Sequence, residues 1–370
     1  MSISSITVQA PGRINLIGEH TDYNNGFVMP AAIQYAATVQ ITKREDGVIH
    51  LTALDLNESI TIDITAIHPQ EIQWTNYIIG VLAQFQKIKP FTSGFNLELK
   101  SNVPIGAGLS SSAAIESAVA FAINTLYDYH LNTLELAIIG QKAEHEYAGV
   151  QCGIMDQFAS LFGKKNQVIL LDCQNMDYQY FPLNMDGYSI VLLDTQIKHA
   201  LANSEYNTRK MECEKGIELM EVQYPAIKSL REATLEMLDA SVRPAVFPKV
   251  YNRCKYVIEE IARTQLAAVD LQNNNLIQFG QKMFATHEGL SKLYEVSCSE
   301  LDLLVQWAKE ESSIIGARMM GGGFGGCTIN LIQTQNVTSV IENMNNNYLT
   351  HTGKKLVSYI VQVEEGAHIL

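Results

Sequence analysis

The sequence predicts an α+β protein of two domains, and three observations lead there. The chain has 370 residues, more than one compact core usually organises, at about 150 residues per domain. Its first half mixes strand-like and helix-like runs. Its second half is mostly helical, with two strand-like runs near the end. Strict strand–helix alternation, the mark of a parallel sheet, is missing.

Residues 6–10 read as a short strand. Residues 28–41 are apolar and rich in branched side chains, and supply more strand. In FNLELK, Phe95, Leu97 and Leu99 alternate with polar residues, the period of a half-buried strand. Residues 111–127 are an apolar, Ala-rich helix and 134–147 another. Residues 168–172 and 190–194 are continuous apolar runs, read as buried strands. Helices follow over 205–222, 249–263, 276–290 and 299–310, then strands over 327–332 and 356–363. The Asn-rich stretches 272–275 and 343–347 read as loops. Periodicity breaks over 174–187, which carries Pro182, so the division is set there: domains 1–180 and 181–370.

Hydrophobic residues make up 47% and charged residues 18%, the balance of a globular chain with a sizeable core. The net charge of -13 argues against a nucleic-acid partner, whose binding normally leaves a basic patch. No apolar run nears the ~18 residues of a membrane helix. The start, MSISSITVQAPGR, has neither the charged nor the apolar region of a signal peptide. Cys152, Cys173, Cys213, Cys254, Cys298 and Cys327 are scattered without a C-x-x-C pair or a zinc-like His partner. They read as reduced thiols of a cytoplasmic protein.

Two glycine-rich segments could cradle phosphate. In VPIGAGLSSSAA, residues 103–114, Gly106 and Gly108 let the backbone approach a ligand closely. Ser110, Ser111 and Ser112 fall where a helix begins, so free N–H groups and the helix dipole suit an anion there. A serine hydroxyl in that place could also coordinate Mg²⁺. The plainer reading is that the serines cap the helix. A Walker A loop would need a lysine and a Rossmann loop a glycine at Ser111, so neither route applies. The second segment is MMGGGFGGCT, residues 319–328. Gly321, Gly323 and Gly326 satisfy G-x-G-x-x-G, but a strand follows instead of a helix, and the dinucleotide reading loses its context. So many glycines carry an entropic cost. They fit a tight turn pressed against another backbone or a ligand, or else a flexible loop.

The run PGRINLIGEHTDYNNG, residues 11–26, places Arg13, Glu19, His20 and Asp22 between two apolar strands. Asn25-Gly26 is a hairpin signal, so the run reads as a polar connection. It also suits a sugar site, where carboxylates and imidazole direct hydrogen bonds to hydroxyls. Asp156, in GIMDQF, reads as an acid in the first turn of a helix, favoured by the dipole. Glu144, in KAEHEYAG, reads as a solvated helical charge, with His145 beside it on the surface.

Together these segments resemble the galactokinase branch of the GHMP small-molecule kinases. Three family motifs stand in order: PGRINLIGEHTDYN at 11–24, PIGAGLSSSAA at 104–114 and MMGGGFGGCTINL at 319–331. The first is specific to that branch and the others are shared more widely. CGIMDQFASLFGKK (152–165), HALANSEYNTRKMECE (199–214) and YEVSCSELD (294–302) are similar to it as well, so the resemblance covers nearly the whole chain. Two details depart from the family: Pro11 lies close to the start of the chain, and Leu293 stands where an acid is usual.

The resemblance implies a fold: a ribosomal-S5-like N-terminal domain, a ferredoxin-like C-terminal domain with extra helices, and an active site in the cleft between them. It implies a reaction, Mg-ATP-dependent phosphorylation of the C1 hydroxyl of α-D-galactose to galactose 1-phosphate and ADP, which opens galactose catabolism. It implies galactose and ATP as ligands, Mg²⁺ as cofactor, no nucleic-acid or membrane partner, and a cytoplasmic monomer. It also implies roles. Asp156 matches the catalytic aspartate, and Arg13 the arginine beside the reacting hydroxyl. Glu19, His20 and Asp22, with Gly153 and Tyr206, match the sugar pocket. Gly106, Ala107, Gly108, Leu109, Ser110, Ser111 and Ser112 match the phosphate loop. Ser112 and Glu144 match the Mg²⁺ positions, and Trp74 and Tyr77 the adenine pocket. A loose phosphoryl transition state is served by positioning and charge neutralisation, which these residue types supply. Kinases of N-acetylgalactosamine, arabinose or uronic acids share this chemistry. A non-catalytic sugar sensor is the reading from outside the enzyme class; such relatives tend to have damaged motifs, and Arg13, Ser112 and Asp156 are intact here.

Overall fold

The computed structural model describes residues 4–197 and 202–370, so the run 199–214 lies partly outside them. β1 (Ser5–Asn15) continues past the expected residue 10, because residues 11–15 stay paired with the strand opposite. β2 (Phe27–Val28) and β3 (Pro30–Lys43) follow, then a hairpin of β4 (Val48–Ala53) and β5 (Glu58–Asp63). α1 (Gln73–Ile88) precedes β6 (Phe95–Ser101). α2 (Ser111–Leu126) and α3 (Thr133–Ala143) come next. α3 starts on a capping box: the Asn132 side chain accepts from Glu135 N at 3.0 Å and Glu135 Oε2 from Asn132 N at 2.7 Å. One π turn, Glu144–Ala148, ends this helix short of the expected residue 147. α4 (Met155–Phe162), β7 (Gln167–Asp172), β8 (Tyr178–Pro182) and β9 (Tyr188–Asp194) complete the first half.

The second half opens with α5 (Ala202–Glu221), α6 (Leu235–Ser241), α7 (Pro248–Gln272) and α8 (Leu276–Gly289). After another π turn come α9 (Ser299–Glu310), β10 (Ile314–Met319), β11 (Cys327–Gln333), α10 (Val337–Thr352), β12 (Val357–Val361) and β13 (His368–Ile369). Residues 343–347, expected as a loop, lie inside α10. Asn is a poor helix former, but Val337, Val340, Met344 and Tyr348 form one buried stripe, and burying it outweighs propensity.

Three sheets result. Six strands run in the order β13-β1-β3-β6-β4-β5, three as β2-β7-β8, and four as β10-β11-β9-β12. In the six-stranded sheet only β4 and β6 pair in parallel. The four-stranded sheet is wholly antiparallel, and its order with α10 between β11 and β12 is the ferredoxin-like arrangement. α2 covers β1 and β3, with α1, α3 and α4 packed around it. The C-terminus returns to the first sheet, where Ile369 pairs with Val8 and Val363 bridges to Ile33. One apolar core therefore contains Val8 and Val39 from the first sheet and Leu192 and Ile329 from the last. No helix among the described residues is long and apolar enough to cross a membrane.

Candidate active site

The loop before α2 is not a serine cap. Ser110 is the N-cap residue but stands in the left-handed region (φ 57°) and makes no side-chain cap, a conformation that a non-glycine residue adopts only when its surroundings hold it. Its Oγ instead donates to Asp156 Oδ2 at 2.5 Å, and Ser112 Oγ donates to Glu144 Oε1 at 3.0 Å. Both hydroxyls leave the helix N-terminus, which is free of side-chain caps and so able to receive an anion. Gly106 and Gly108 have φ of 81° and 75°, which turn the backbone around this point. Ala107 and Leu109 are buried and anchor the turn from below.

Arg13 locks this loop to the acid. A register slip between Pro11 and Arg13 re-aims β1 there. Its Nε and Nη2 donate to Asp156 Oδ1 and Oδ2 at 2.8 and 3.0 Å, and Nη1 donates to Gly108 O at 2.6 Å. The backbone N–H of Arg13 donates to Leu109 O at 3.1 Å. Burial on its own would lower the guanidinium pKa, but Asp156, with Glu19 and Asp22, raises it above the ordinary value. Asp156 sits in the first turn of α4, as expected.

The run after β1 closes a second wall. Glu19 is buried, and its Oε1 accepts from Arg318 Nη1 at 3.0 Å and from Gly321 N at 2.7 Å. Arg318, wholly buried, also donates to the carbonyls of Asn15, Leu16 and Met319. His20 stands at φ 61°. Its Nδ1 pairs with Tyr23 Oη at 2.7 Å, and its ring lies 4.9 Å from Tyr294 and 5.3 Å from Tyr206, centroid to centroid. Burial pushes the imidazole pKa down to about 4, so it is neutral at pH 7. Burial, with the Asp156 charge next, pushes the Asp22 carboxyl up to about 7. A Cβ at Gly153 would overlap that carboxylate, so only glycine fits.

Glu144 is not the solvated charge its position suggested. It accepts from Ser112, and from Gln157 Nε2 at 2.9 Å. Burial and Asp156 push its pKa up to about 7. His145, expected on the surface, is half-buried with Nε2 2.7 Å from Cys152 O. The second glycine segment, residues 319–328, is the tight turn and not the flexible loop. Gly321, Gly323, Phe324, Gly325 and Gly326 all have positive φ, and Gly321 and Gly326 pack against the backbone of Gly108 and Gly106.

Two cavities meet here. The smaller, about 190 Å³, is lined by Glu19, His20, Asp22, Glu144, Gly153 and Tyr206. The larger, about 610 Å³, is lined by Trp74, Tyr77, Gly106, Gly108, Leu109 and Ser110 to Ser112. Arg13 and Asp156 line both. Of the residues expected at the site, only Ala107 lines neither. Trp74 is fixed by its Nε1 donating to Glu58 Oε2 at 2.7 Å. Sequence reasoning missed Tyr23, Gln157, Tyr294 and Arg318. Tyr294 and Gln157 stood unremarked inside quoted runs, whereas a buried arginine such as Arg318 leaves no local signal.

A helix end without side-chain caps lining one cavity, an acid-lined second cavity, and the Arg13–Asp156 pair lining both are the arrangement of a small-molecule kinase. Three family models match: the GHMP kinases N terminal domain over residues 76–164, the GHMP kinases C terminal over 267–349, and the galactokinase galactose-binding signature over 2–43. The galactokinase of Thermotoga maritima is 40% identical over 97% of this chain and 98% of its own length. That of Actinobacillus pleuropneumoniae is 38% identical over 98% and 94%. The crystal structure of Lactococcus lactis galactokinase complexed with galactose superposes with a TM-score of 0.95 at 34% identity, covering 100% of this chain and 96% of that one. The chain belongs to the galactokinase family of the GHMP kinases.

Proposed function

We propose that the γ-phosphoryl group of ATP, held in the larger cavity, passes to the C1 hydroxyl of α-D-galactose in the smaller one, giving galactose 1-phosphate and ADP, the opening step of galactose catabolism. The observation that carries this reading is that Arg13 and Asp156 line both cavities. Asp156 accepts the hydroxyl proton. Arg13, held charged at Asp156, stabilises negative charge developing between the ligands. Glu19, His20, Asp22, Gly153 and Tyr206 form the sugar pocket, with neutral His20 able to exchange a hydrogen bond with a hydroxyl. The backbone of residues 106–112 and the start of α2 receive the phosphates, and Trp74 and Tyr77 flank the adenine.

Ser112 and Glu144 would hold Mg²⁺. The donors fit: one hydroxyl and one carboxylate converge at 3.0 Å beside the helix end, and Mg²⁺ is usually held by one or two carboxylates with substrate phosphates and water. Bound there, the ion offsets phosphate charge. A division into two domains is supported by the separate first and last sheets, although the expected boundary at 180/181 falls inside β8 and β13 returns to β1. Six unpaired cysteines suit a reducing, cytoplasmic setting, and a monomer suffices because one chain lines both cavities.

The test is ADP release by the purified protein with Mg-ATP and galactose, N-acetylgalactosamine, arabinose or glucose. Turnover with galactose above the others, lost in Asp156→Asn, is expected. Turnover on another sugar alone would keep the mechanism and change the substrate. Binding without turnover would overturn the reading.

A further inference from the structure

Two buried side chains that phosphoryl transfer leaves without a role, Glu116 and Gln157, connect to the metal position. Gln157 follows Asp156 on α4, so about 100° of helix separates their directions. Asp156 faces the cavities, while Gln157 points inward and is wholly buried. Its Nε2 donates to Glu144 Oε2 at 2.9 Å and to Glu116 Oε2 at 2.8 Å. Both amide hydrogens are thereby used. The slot is shaped for this side chain: a Cβ at Gly140 on α3 would come within 2.9 Å of Gln157 Cγ.

Glu116 lies one turn after Ser112 on α2, is wholly buried, and has no ion pair among the described residues. Burial, with the Glu144 charge next, raises its pKa well above the usual range, as expected of a carboxyl with no cation nearby. With Nε2 facing both acids, the amide holds Glu144 Oε2 while Oε1 stays toward Ser112.

We propose that Gln157 is a positioning residue of the metal site, its amide fixing Glu144 with Oε1 toward Ser112 while buried Glu116 anchors the second amide hydrogen. This rests on the reading of Ser112 and Glu144 as the Mg²⁺ ligands. Partners that orient a metal ligand from behind typically change metal affinity by about 10–100-fold when removed.

The experiment titrates Mn²⁺ into the full-length protein saturated with ADP, following free Mn²⁺ by electron paramagnetic resonance, alongside steady-state kinetics. Gln157→Met keeps the bulk and removes the amide. It is expected to weaken Mn²⁺ binding about 10–100-fold and raise the KM for Mg-ATP, leaving the KM for galactose within about twofold. A purely structural role for Gln157 would instead lower Tm and leave Mn²⁺ affinity unchanged, and that outcome overturns the proposal. If Gln157→Met fails to fold because Glu116 loses this donor, Glu116→Met/Gln157→Met removes both polar groups. The same weakening is expected of the double variant, and parental affinity in it overturns the proposal. Glu144→Gln separates the two levels. Parental Mn²⁺ affinity there sinks the metal-site reading and the inference with it. Lost affinity there beside parental affinity in Gln157→Met sinks the inference alone.

Discussion

Arg13 grips Asp156 with two nitrogens, Nε to Oδ1 at 2.8 Å and Nη2 to Oδ2 at 3.0 Å, while Ser110 adds a third donor to Oδ2. The fork is bidentate and mostly shielded, and this geometry belongs to arginine and not to lysine. Asp156→Asn should lower kcat by about 10²–10⁴ with the galactose Kd little changed. Arg13→Lys keeps charge without the fork and should lower kcat by at least about tenfold. Single-turnover kinetics beside calorimetric sugar binding check both, and unchanged kcat in either would deny that role.

Arg318 and Glu19 form the deepest ion pair of the site, the former wholly buried and the latter nearly so. It joins β10 to the run after β1. Removing one member leaves the other charge uncompensated, which typically costs about 3–5 kcal/mol. Arg318→Met should therefore lower unfolding stability by that order, and adding Glu19→Gln should recover part of the loss. Urea unfolding of the single and double variants measures this. Additive losses would show that the pair is not coupled.

Asp22 and His20 make stability depend on pH in opposite senses. Unfolded, Asp22 ionises near 3.8, but folded it holds its proton up to about 7. Between those values folding takes up a proton, so this group's contribution is present below about 4 and is lost as pH rises through 7. His20, moved from 6.5 down to about 4, does the reverse: the folded form rejects a proton, and stability rises over that window. Asp22→Asn removes the first effect and keeps the second. The Tm of this variant relative to the parent should climb between pH 5 and pH 8. A flat difference in thermal unfolding would mean that folded Asp22 ionises normally.

A chain of hydrogen bonds backs His20. Tyr23 Oη lies 2.7 Å from His20 Nδ1 and 2.8 Å from Tyr294 Oη, which lies 3.3 Å from Cys213 Sγ. Tyr294→Phe removes the middle link. At about 1 kcal/mol per neutral hydrogen bond, the KM for galactose should rise about fivefold with the KM for ATP unchanged. Equal shifts in both would point to general loosening.

Much of this was legible from local pattern. The glycine–serine turn before α2, Asp156 in the first turn of α4 and the acidic run after β1 each sit where spacing and residue type placed them. Period and propensity are properties of neighbours along the chain, so strands such as β6 and helices such as α2 announced themselves. α10 did not, because its Asn residues speak for a loop and only the buried stripe beneath them reveals the helix. α1 and β10 were also missed, although Ile78, Ile79, Val81, Leu82 and Phe85 of α1 carry a helical period that local reading could have caught.

The sequence by itself determined the fold class, the family and the inventory of reactive groups, since motif order and hydrophobic period need no partner to be read. Tertiary structure alone decided what those groups are. It turned Ser110 from a helix cap into a donor to Asp156, Glu144 from a solvated charge into a half-buried partner of Ser112, and it settled the second glycine run as a tight turn against the glycine loop before α2. Each decision depends on burial and on a partner far along the chain, such as the 143 residues between Arg13 and Asp156. Desolvation and charge pairing are set by what surrounds a group in space, and that is known only once the chain has closed on itself.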